Sequence, residues 1–382
     1  MRIAFVYDAP YPWHVGGIEM INYRESKELA KDNEVHYFAR KWPGMKRDFV
    51  QDGVSYHASY EVTQGKLYRH GRRSIREAMI FSLGLFGLYS YPKFDVIITN
   101  QFPVLHLPVL KLYSMLTGTK LVVEVAEVWD RNYWVSYLGP VLGRLASVYS
   151  DMVVRYGDVF VAYSSATADK LSEKGIDRYD VKIFAPVLDN ELIDSINKRY
   201  KPANNKTVLF SGRLIKEKRI EDWLGAVKAA RAKDNDAKGM IIGSGPELER
   251  IRSRIAELGL KDSVEVRHFY ADKGDFYREL RKASVLLNMS EREGLSIICI
   301  EAVALGTPVI LPSYSPIPNE VKEMCNVVHE NEVPSRMHEI FRARDKSAFI
   351  KKQENLRLFS TSMIKNFYIK LFNEIGIKHR HK

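Results

Sequence analysis

The chain contains little cysteine. Only two cysteines, Cys299 and Cys325, occur among its 382 residues. This number is too small for a disulfide framework, and the two thiols lack the spacing of a zinc ligand set, so neither type of stabilised domain is predicted. We expect both cysteines to be buried thiols in a reducing compartment, and we expect no structural metal.

Long apolar runs are absent as well. No stretch of about twenty uncharged apolar residues occurs in the sequence, so no membrane-spanning helix is predicted. Met1 and Arg2 lead directly into an apolar strand, and we therefore expect no signal peptide. The predicted location is the cytoplasm.

Acidic residues are outnumbered by basic ones. The sequence has 58 Lys and Arg against 47 Asp and Glu, which gives a formal net charge of +11. No nucleic-acid-binding motif accompanies this excess, so nucleic acid is not predicted as a partner. With 46% hydrophobic residues the chain is long enough for two domains. Short strands alternating with helices of about ten to fifteen residues predict α/β domains.

The most informative segment begins at Glu293. Gly294, Leu295 and Ser296 follow, and Glu301 lies further on, inside a predicted helix. A helix that starts near Gly294 presents free N–H groups to a phosphate, while carboxylates at its mouth and two turns inside can accept hydrogen bonds from sugar hydroxyls. This pattern suits a sugar nucleotide. The alternative is an exposed loop glutamate followed by an unrelated helical one.

The context favours the first interpretation. Residues 284–289 form a predicted buried strand before the glutamate loop, and residues 307–311 form the next strand after a helix that ends in glycine. Parallel sheets bind ligands at the edge where such loops lie. The arrangement resembles the retaining glycosyltransferases of the GT-B fold, family 4, whose Glu, seven residues, Glu motif matches Glu293 to Glu301. The resemblance implies that Glu293 lies near the donor sugar and that Glu301 holds the nucleotide ribose.

A second match lies between residues 208 and 218. An apolar strand ends at a glycine, and Arg213 and Lys218 precede the next helix. Fixed cations at this turn can stabilise the charge of a departing nucleoside diphosphate and replace a divalent metal. We interpret Lys216 and Arg219 as solvated. The family usually has glycine or a small polar residue after the lysine, so Arg219 predicts a differently shaped helix start.

Two glycine turns extend the resemblance. Gly243 and Gly245 follow a predicted strand, and Gly16 and Gly17 lie in the loop after the first strand, before a helix. By resemblance all four line the donor site, with Gly16 and Gly17 under its phosphates. The alternative for each pair is an ordinary turn, because glycine permits close backbone approach in many α/β proteins.

The acceptor-side acid or base is predicted after the strand at residues 120–125. Many members of the family place a His or an Asp there, whereas this chain has Glu127, followed by Trp129 and Asp130. Glu127 is the candidate that orients or deprotonates the acceptor hydroxyl, and Asp130 is the alternative. Both could instead be surface turn residues. No metal site is predicted, since the Asp-Asn-Asp sequence at 234–236 is interpreted as a helix end.

The predicted architecture is two Rossmann-like domains that face each other across a cleft, as in the GT-B fold. The predicted ranges are an acceptor-side domain at 1–185, a hinge at 186–206, a nucleotide-sugar-binding domain at 207–355, and a C-terminal helix with a basic tail at 356–382, which crosses back to the first domain. The tail includes His379 and His381.

A basic cluster precedes an apolar, aromatic-rich stretch at residues 78–89. The cluster consists of Lys66, Arg69, Arg72, Arg73 and Arg76. Such a sequence is typical of docking on anionic lipid, although the stretch could equally be a core helix.

Together these features predict a retaining, metal-independent transferase. It would move a hexose from a nucleotide sugar, such as a GDP- or UDP-hexose, to a hydroxyl acceptor, and it needs no other cofactor. A polyprenyl-linked saccharide at the cytoplasmic face of a membrane would explain the basic charge. Two alternatives stay open: a sugar-nucleotide epimerase or hydrolase on the same fold, and a non-catalytic basic protein that binds membrane or nucleic acid.

Overall fold

The structure, a computed structural model, describes residues 1–62, 68–69, 72–201, 205–343 and 345–377. The side chains at positions 68, 69 and 72 are not described. Lys66 and the tail Lys378–Lys382, with His379 and His381, lie outside the described residues. The chain divides into two compact units. The first comprises Met1–Val187 and the chain from Thr361 onward, and the second comprises Leu188–Ser360.

Within the described residues, the first unit contains an eight-stranded sheet and a short two-stranded ribbon, β5–β6. Its strands are β1 (Arg2–Val6), β2 (Glu34–Lys41), β3 (Asp48–Gln51), β4 (Val54–Glu61), β5 (Tyr68–Arg69), β6 (Arg72–Arg73), β7 (Val96–Asn100), β8 (Lys120–Val125), β9 (Val159–Ala162) and β10 (Val181–Ile183). The order in the large sheet is β10-β9-β8-β7-β1-β2-β4-β3, and every neighbouring pair is parallel except β3 with β4.

Helices cover both faces of this sheet. They are α1 (Gly17–Leu29), α2 (Ile75–Gly84), α3 (Leu107–Thr117), α4 (Arg131–Leu138), α5 (Pro140–Val153) and α6 (Ser165–Glu173). The central strands β1, β7 and β8 are buried along nearly all of their length because both faces are covered. Helix α6 begins after Ser164, whose side chain caps it by accepting a hydrogen bond from the Thr167 backbone N–H.

The second unit is a parallel sheet with helices, again of the doubly wound type. Its strands are β11 (Thr207–Ser211), β12 (Lys238–Ile242), β13 (Val264–Arg267), β14 (Val285–Leu287), β15 (Val309–Pro312) and β16 (Asn326–Val328), in the order β13-β12-β11-β14-β15-β16. Its helices are α7 (Asn190–Arg199), α8 (Ile220–Lys233), α9 (Leu248–Glu257), α10 (Lys273–Lys282), α11 (Ile297–Ala304), α12 (Asn319–Lys322) and α13 (Val333–Arg342). The predicted α/β class with two Rossmann-like domains is confirmed.

The last helix, α14 (Ile364–Glu374), packs on the first unit. The ring of Phe367 stacks on Phe184 with centroids 4.0 Å apart, and Tyr368 donates a hydrogen bond of 2.5 Å to Glu124. The predicted return of the C-terminal helix to the N-terminal domain is therefore confirmed. The segment predicted as a hinge, 186–206, is more regular than expected, because about half of it is helix α7, which packs on α10 in the second unit.

The apolar stretch at 78–89 forms the end of α2 and a 3-10 turn, Leu85–Ser90. Phe81, Leu85 and Leu88 belong to the core, so one side of the stretch is a core helix, as one of the two interpretations expects. Arg73 of the basic cluster is not available to lipid, because it pairs with the buried Asp8. No helix among the described residues is long and apolar enough to cross a membrane.

Candidate active site

An ion pair joins two loops at the carboxyl edge of the second sheet. The strands β11 and β14 are neighbours, and the loop after β11 carries Lys218 while the loop after β14 carries Glu293. The backbone N–H of Glu291 donates to the carbonyl of Glu217 at 3.0 Å, which fixes the two loops together. Lys218 Nζ contacts Glu293 Oε1, and their side chains are only 19% and 13% exposed. Both line a small cavity that also includes Asn288.

The helix that follows Glu293 begins in an unusual conformation. Ser296, the residue before α11, has φ +63°, in the left-handed region that non-glycine residues rarely adopt. Asn288 donates to the Ser296 hydroxyl at 2.9 Å and lies 3.5 Å from Glu293 Oε1. Leu295 is buried, so Gly294 and Ser296 flank an apolar anchor. The sequence reasoning did not identify Asn288, although a polar residue directly after an apolar strand is a usable signal.

Glu301 lies in α11, where it is buried and held by residues of α10. Tyr277 donates a hydrogen bond of 2.8 Å to Glu301 Oε1, and Lys273 Nζ lies 2.7 Å from the same oxygen. These partners are four residues apart and therefore share one face of α10. The sequence reasoning missed both, because no local motif links them to Glu301.

The loop after β11 contains a second left-handed residue. Arg213 is exposed on this loop, as is Lys216, whereas Arg219 has φ +48° and precedes α8. Glycine adopts this conformation without strain, which gives a physical reason for the family's preference for glycine there. The expectation that Arg219 is solvated is wrong. Its guanidinium contacts Asp222 at 2.7 Å and Glu330 at 3.2 Å, and it lies over the Tyr314 ring.

The glycines of the turn after β12 are required by close packing. A Cβ on Gly243 would lie 2.1 Å from the carbonyl oxygen of Gly212, and one on Gly245 would lie 2.4 Å from that of Leu214. The backbone N–H of Leu214 also donates to the carbonyl of Ser244 at 2.9 Å. This turn therefore supports the loop that carries Arg213, which accounts for both glycines without a ligand.

In the first unit, Gly16 directly precedes α1, and Gly17 is the first residue of this helix. A Cβ on Gly16 would lie 2.4 Å from Glu19 Oε2, so glycine makes room for this carboxylate. Glu19 Oε1 lies 2.9 Å from His14 Nδ1 and 3.5 Å from the Tyr7 hydroxyl. The sequence reasoning looked for a histidine after β8 and did not identify His14, which is in the loop after β1 at the same sheet edge.

The two candidate acceptor bases have different surroundings. Glu127 is half-buried in the loop after β8. Asp130 is exposed, and its side chain accepts a hydrogen bond of 2.7 Å from the Tyr133 backbone N–H, which makes it the N-cap of α4. A capping role accounts for Asp130 by itself.

A buried acidic cluster lies in the first unit, and the sequence did not indicate it. Glu124 accepts hydrogen bonds from Tyr163 at 2.9 Å and Asn100 at 3.0 Å, in addition to Tyr368. Glu25 of α1 is fully buried beside it. Burial, and next the charge of Glu124, raise the pKa of Glu25 well above its ordinary value.

The remaining candidates are structural. Asp234 ends α8 and pairs with Lys206 at 2.8 Å, as expected for a helix end. Among the described residues no three His, Cys, Asp or Glu side chains are grouped as metal ligands. Cys299 and Cys325 are buried, as predicted, and burial raises the pKa of the Cys299 thiol to about 12.

Two protein-family models match consecutive parts of the chain. The model described as Glycosyltransferase Family 4 matches residues 15–192, and the model described as Glycosyl transferases group 1 matches residues 193–339. The chain is a family 4-type glycosyltransferase. The predicted family is thus confirmed, and the second match contains the loops that carry Lys218 and Glu293.

Relatives of this glycosyltransferase differ in how much of their length matches. An uncharacterized glycosyltransferase of Haemophilus influenzae is 29% identical over 54% of the chain, which spans about half (55%) of that protein. The N-acetyl-alpha-D-glucosaminyl L-malate synthase of Bacillus anthracis is 22% identical over 82% of the chain and 79% of its own length. A GDP-mannose-dependent alpha-(1-6)-phosphatidylinositol monomannoside mannosyltransferase of Mycobacterium tuberculosis is 28% identical over 33% of the chain and 34% of its own.

The fold comparison covers nearly the whole glycosyltransferase. HepE of Anabaena, solved with UDP and glucose, superposes with a TM-score of 0.69 at 15% identity over 98% of this chain and all of that one. At this identity the likeness concerns the fold alone, which is GT-B.

Proposed function

We propose that this enzyme transfers a hexose from a nucleoside diphosphate sugar to a hydroxyl acceptor. The observation that carries the proposal is the half-buried pair of Lys218 and Glu293, which joins the loops of β11 and β14 at the edge where parallel sheets bind ligands. A cation that is held in place by a carboxylate is prearranged for the charge that develops on a departing diphosphate.

Each residue of this edge has a proposed role. Lys218 and Arg213 bind the diphosphate, and Glu293 contacts the hexose. Gly294 and Ser296 present backbone N–H groups at the start of α11, with Leu295 anchoring the loop. Glu301 accepts a hydrogen bond from the ribose. Because Tyr277 and Lys273 both contact Oε1, we assign the ribose contact to Oε2.

The residues of the first unit have proposed roles on the acceptor side. Glu127 orients the acceptor hydroxyl, and Asp130 is the second candidate. Gly16 and Gly17 lie below the donor phosphates, and Gly243 and Gly245 in the second unit lie near the nucleotide. We propose retention of anomeric configuration, with the leaving phosphate accepting the proton of the acceptor hydroxyl on the same face of the sugar, so that no strong protein base is required.

We propose that no metal participates, because the proposed role of Lys218 and Arg213 is to neutralise the charge of the diphosphate. The proposed donor is a UDP- or GDP-hexose. UDP occurs in the name of the HepE complex, and GDP-mannose occurs in the name of the mycobacterial relative. The acceptor is a lipid-linked saccharide, and the enzyme acts at the cytoplasmic face of a membrane. The basic net charge and the phosphatidylinositol mannoside in the relative's name support this acceptor.

Incubation with a panel of nucleotide sugars tests the reaction. The purified enzyme, without acceptor, should slowly release UDP or GDP from one donor, and the rate should be unchanged by a chelator. Loss of this release on chelation would contradict metal independence, and no release or binding with any donor would contradict the proposed reaction. Once a saccharide acceptor is found, proton NMR of the new linkage reports whether the configuration is retained.

A further inference from the structure

An exposed apolar surface covers the outside of the first unit. More than half of the large apolar side chains that are exposed in the described chain lie on α2, the turn after it, α3 and α5. They are Ile75, Met79, Leu83, Phe86, Tyr89, Leu112, Met115, Leu116, Val141, Leu142, Leu145, Val148 and Met152. Apolar groups concentrated in this way on a water-soluble scaffold mark an interaction surface.

Helix α5 shows the pattern most clearly, because its small residues face the protein while its large apolar residues face outward. Small residues predominate on its inner face, where Gly143, Ser147 and Ser150 are buried together with Val153. A Cβ on Gly143 would lie 2.4 Å from the carbonyl oxygen of Trp134 in α4, so this face is adapted to close packing. Leu145 is 63% exposed and Val148 is 71% exposed. A surface helix in contact with water has its apolar side chains on the inner face and polar side chains on the outer face.

The three helices belong to one layer. Phe81 of α2, Leu110 and Tyr113 of α3 and Val153 of α5 enter the same core on one side of the sheet. Helix α3 contacts α2 and the turn that directly follows α5, and the ring of Tyr113 lies 5.0 Å from that of Tyr89. Their outward-facing side chains therefore form one surface, here called the apolar face.

The exposed charged residues on α2 and α5 are all basic. Arg76 and Arg144 are exposed on α2 and α5, whereas the acidic residues of these helices are engaged: Glu77 is buried against Arg40, and Asp151 pairs with Lys174 at 2.8 Å. No exposed acidic residue occurs on α2, α3 or α5, all of which are described. In a twofold dimer through this face, arginines would meet arginines without acidic partners, which disfavours a second copy of the chain. An anionic lipid surface offers both the apolar layer and the opposite charge.

We propose that the apolar face docks on an anionic lipid bilayer, with α5 lying in the interface. Helix α5 has 14 residues, which suits a helix that lies in the plane of the interface rather than across it. The proposal extends the lipid-linked acceptor of the proposed function by naming the surface that brings the enzyme to it. It concerns binding alone, so it can fail or succeed independently of catalysis.

Co-sedimentation of the full-length protein with vesicles, without donor or acceptor, tests the proposal. Vesicles of phosphatidylcholine with phosphatidylglycerol should bind the protein, and pure phosphatidylcholine should bind it at least tenfold more weakly. Val148→Glu and Leu145→Glu should each lower binding to the anionic vesicles about tenfold or more, since each removes an apolar side chain from the interface. Val50→Glu is the matched control, because Val50 is also 71% exposed but lies on β3; it should bind like the wild type.

The outcomes distinguish a lipid bilayer from a second copy of the chain as the partner of the apolar face. Absence of vesicle binding by the wild type, or equal losses in Val148→Glu and Val50→Glu, would overturn the proposal. Sedimentation equilibrium provides the other arm: a wild-type dimer that Val148→Glu converts to a monomer, without vesicle binding, would show that a second copy covers the face. Thermal melts of each variant establish that a loss is not due to unfolding.

Discussion

The carboxyl edges of the two sheets use charged residues differently. In the second unit, Lys218 and Glu293 keep partly exposed side chains and line a small cavity. In the first unit, Asp8, Glu25 and Glu124 are completely or almost completely buried, and Glu124 is bonded to Tyr368 of the C-terminal helix. From this comparison we infer that charge at the second edge serves binding and chemistry, whereas the buried acidic groups at the first edge affect the stability of the fold.

The largest effect is expected when the charge of Lys218 or of Glu293 at the second edge is removed. Lys218→Ala and Glu293→Gln should each reduce turnover by about 10² or more, because each removes a group that stabilises transition-state charge. Lys216→Ala is the control, since Lys216 lies on the same turn but is exposed. Initial rates of donor turnover measure the effect. Near-normal turnover in both Lys218→Ala and Glu293→Gln would contradict a catalytic role for the second edge.

A smaller effect is expected at Glu301. Glu301→Gln should raise the donor KM about tenfold, since a hydrogen bond to a charged group contributes about 1.5–3 kcal/mol. The kcat should change less, because the ribose is remote from the bond that breaks. Tyr277→Phe keeps the carboxylate and removes only its tyrosine partner, so its effect on KM should be smaller. A larger loss in kcat than in KM for Glu301→Gln would argue against a ribose contact.

At the first edge, the expected effect is on stability and depends on pH. Because the folded-state pKa of Glu25 is raised, the folded protein keeps a proton that the unfolded chain loses above about pH 4.3. The contribution of Glu25 to the free energy of unfolding is therefore complete below this pH and falls as pH rises towards the folded pKa.

Glu25→Gln should remove this dependence. Urea unfolding of the two proteins at several pH values is the measurement, and their difference in stability should grow with pH in favour of the variant. A constant difference would mean that Glu25 does not hold a proton in the folded protein.

The smallest effect is expected at Arg219. Both Arg219→Gly and Arg219→Ala remove the contacts with Asp222 and Glu330, but only glycine adopts the left-handed conformation without strain. The glycine variant should therefore be more stable than the alanine variant by about 1 kcal/mol. Thermal unfolding compares the two. Equal stabilities would mean that the backbone at 219 relaxes away from its positive φ.

What the sequence predicts depends on how local each feature is. Apolar strands followed by glycine turns, such as those before Gly212 and Gly243, can be predicted because each strand and its loop are adjacent in the sequence. The hairpin of β3 and β4 at the sheet edge was not predicted, since β3 has only four residues and β4 lacks the continuous apolar run of the buried strands. Helix α7 was not predicted, because its many polar residues are typical of a linker, and the whole segment 186–206 was interpreted as one.

The site shows the same limit. Glu293 and Lys218 belong to loop motifs that sequence reasoning identified, whereas their mutual contact spans two separate segments of the chain. The partners of Glu301 come from α10, and those of Glu124 come from three distant segments, including the C-terminal helix. Tertiary packing alone brings these groups together, so no spacing in the sequence could indicate them.

Nucleotide binding tests the role of the second edge most directly. Calorimetric titration of the wild-type enzyme with UDP, GDP and ADP, in the presence of a chelator, should show one nucleoside diphosphate that binds with a stoichiometry of one. Its affinity should fall at least tenfold in Lys218→Ala and should be unchanged in Lys216→Ala. If none of the three nucleotides binds, or if Lys218→Ala binds as tightly as the wild type, the loops of β11 and β14 are not the donor site.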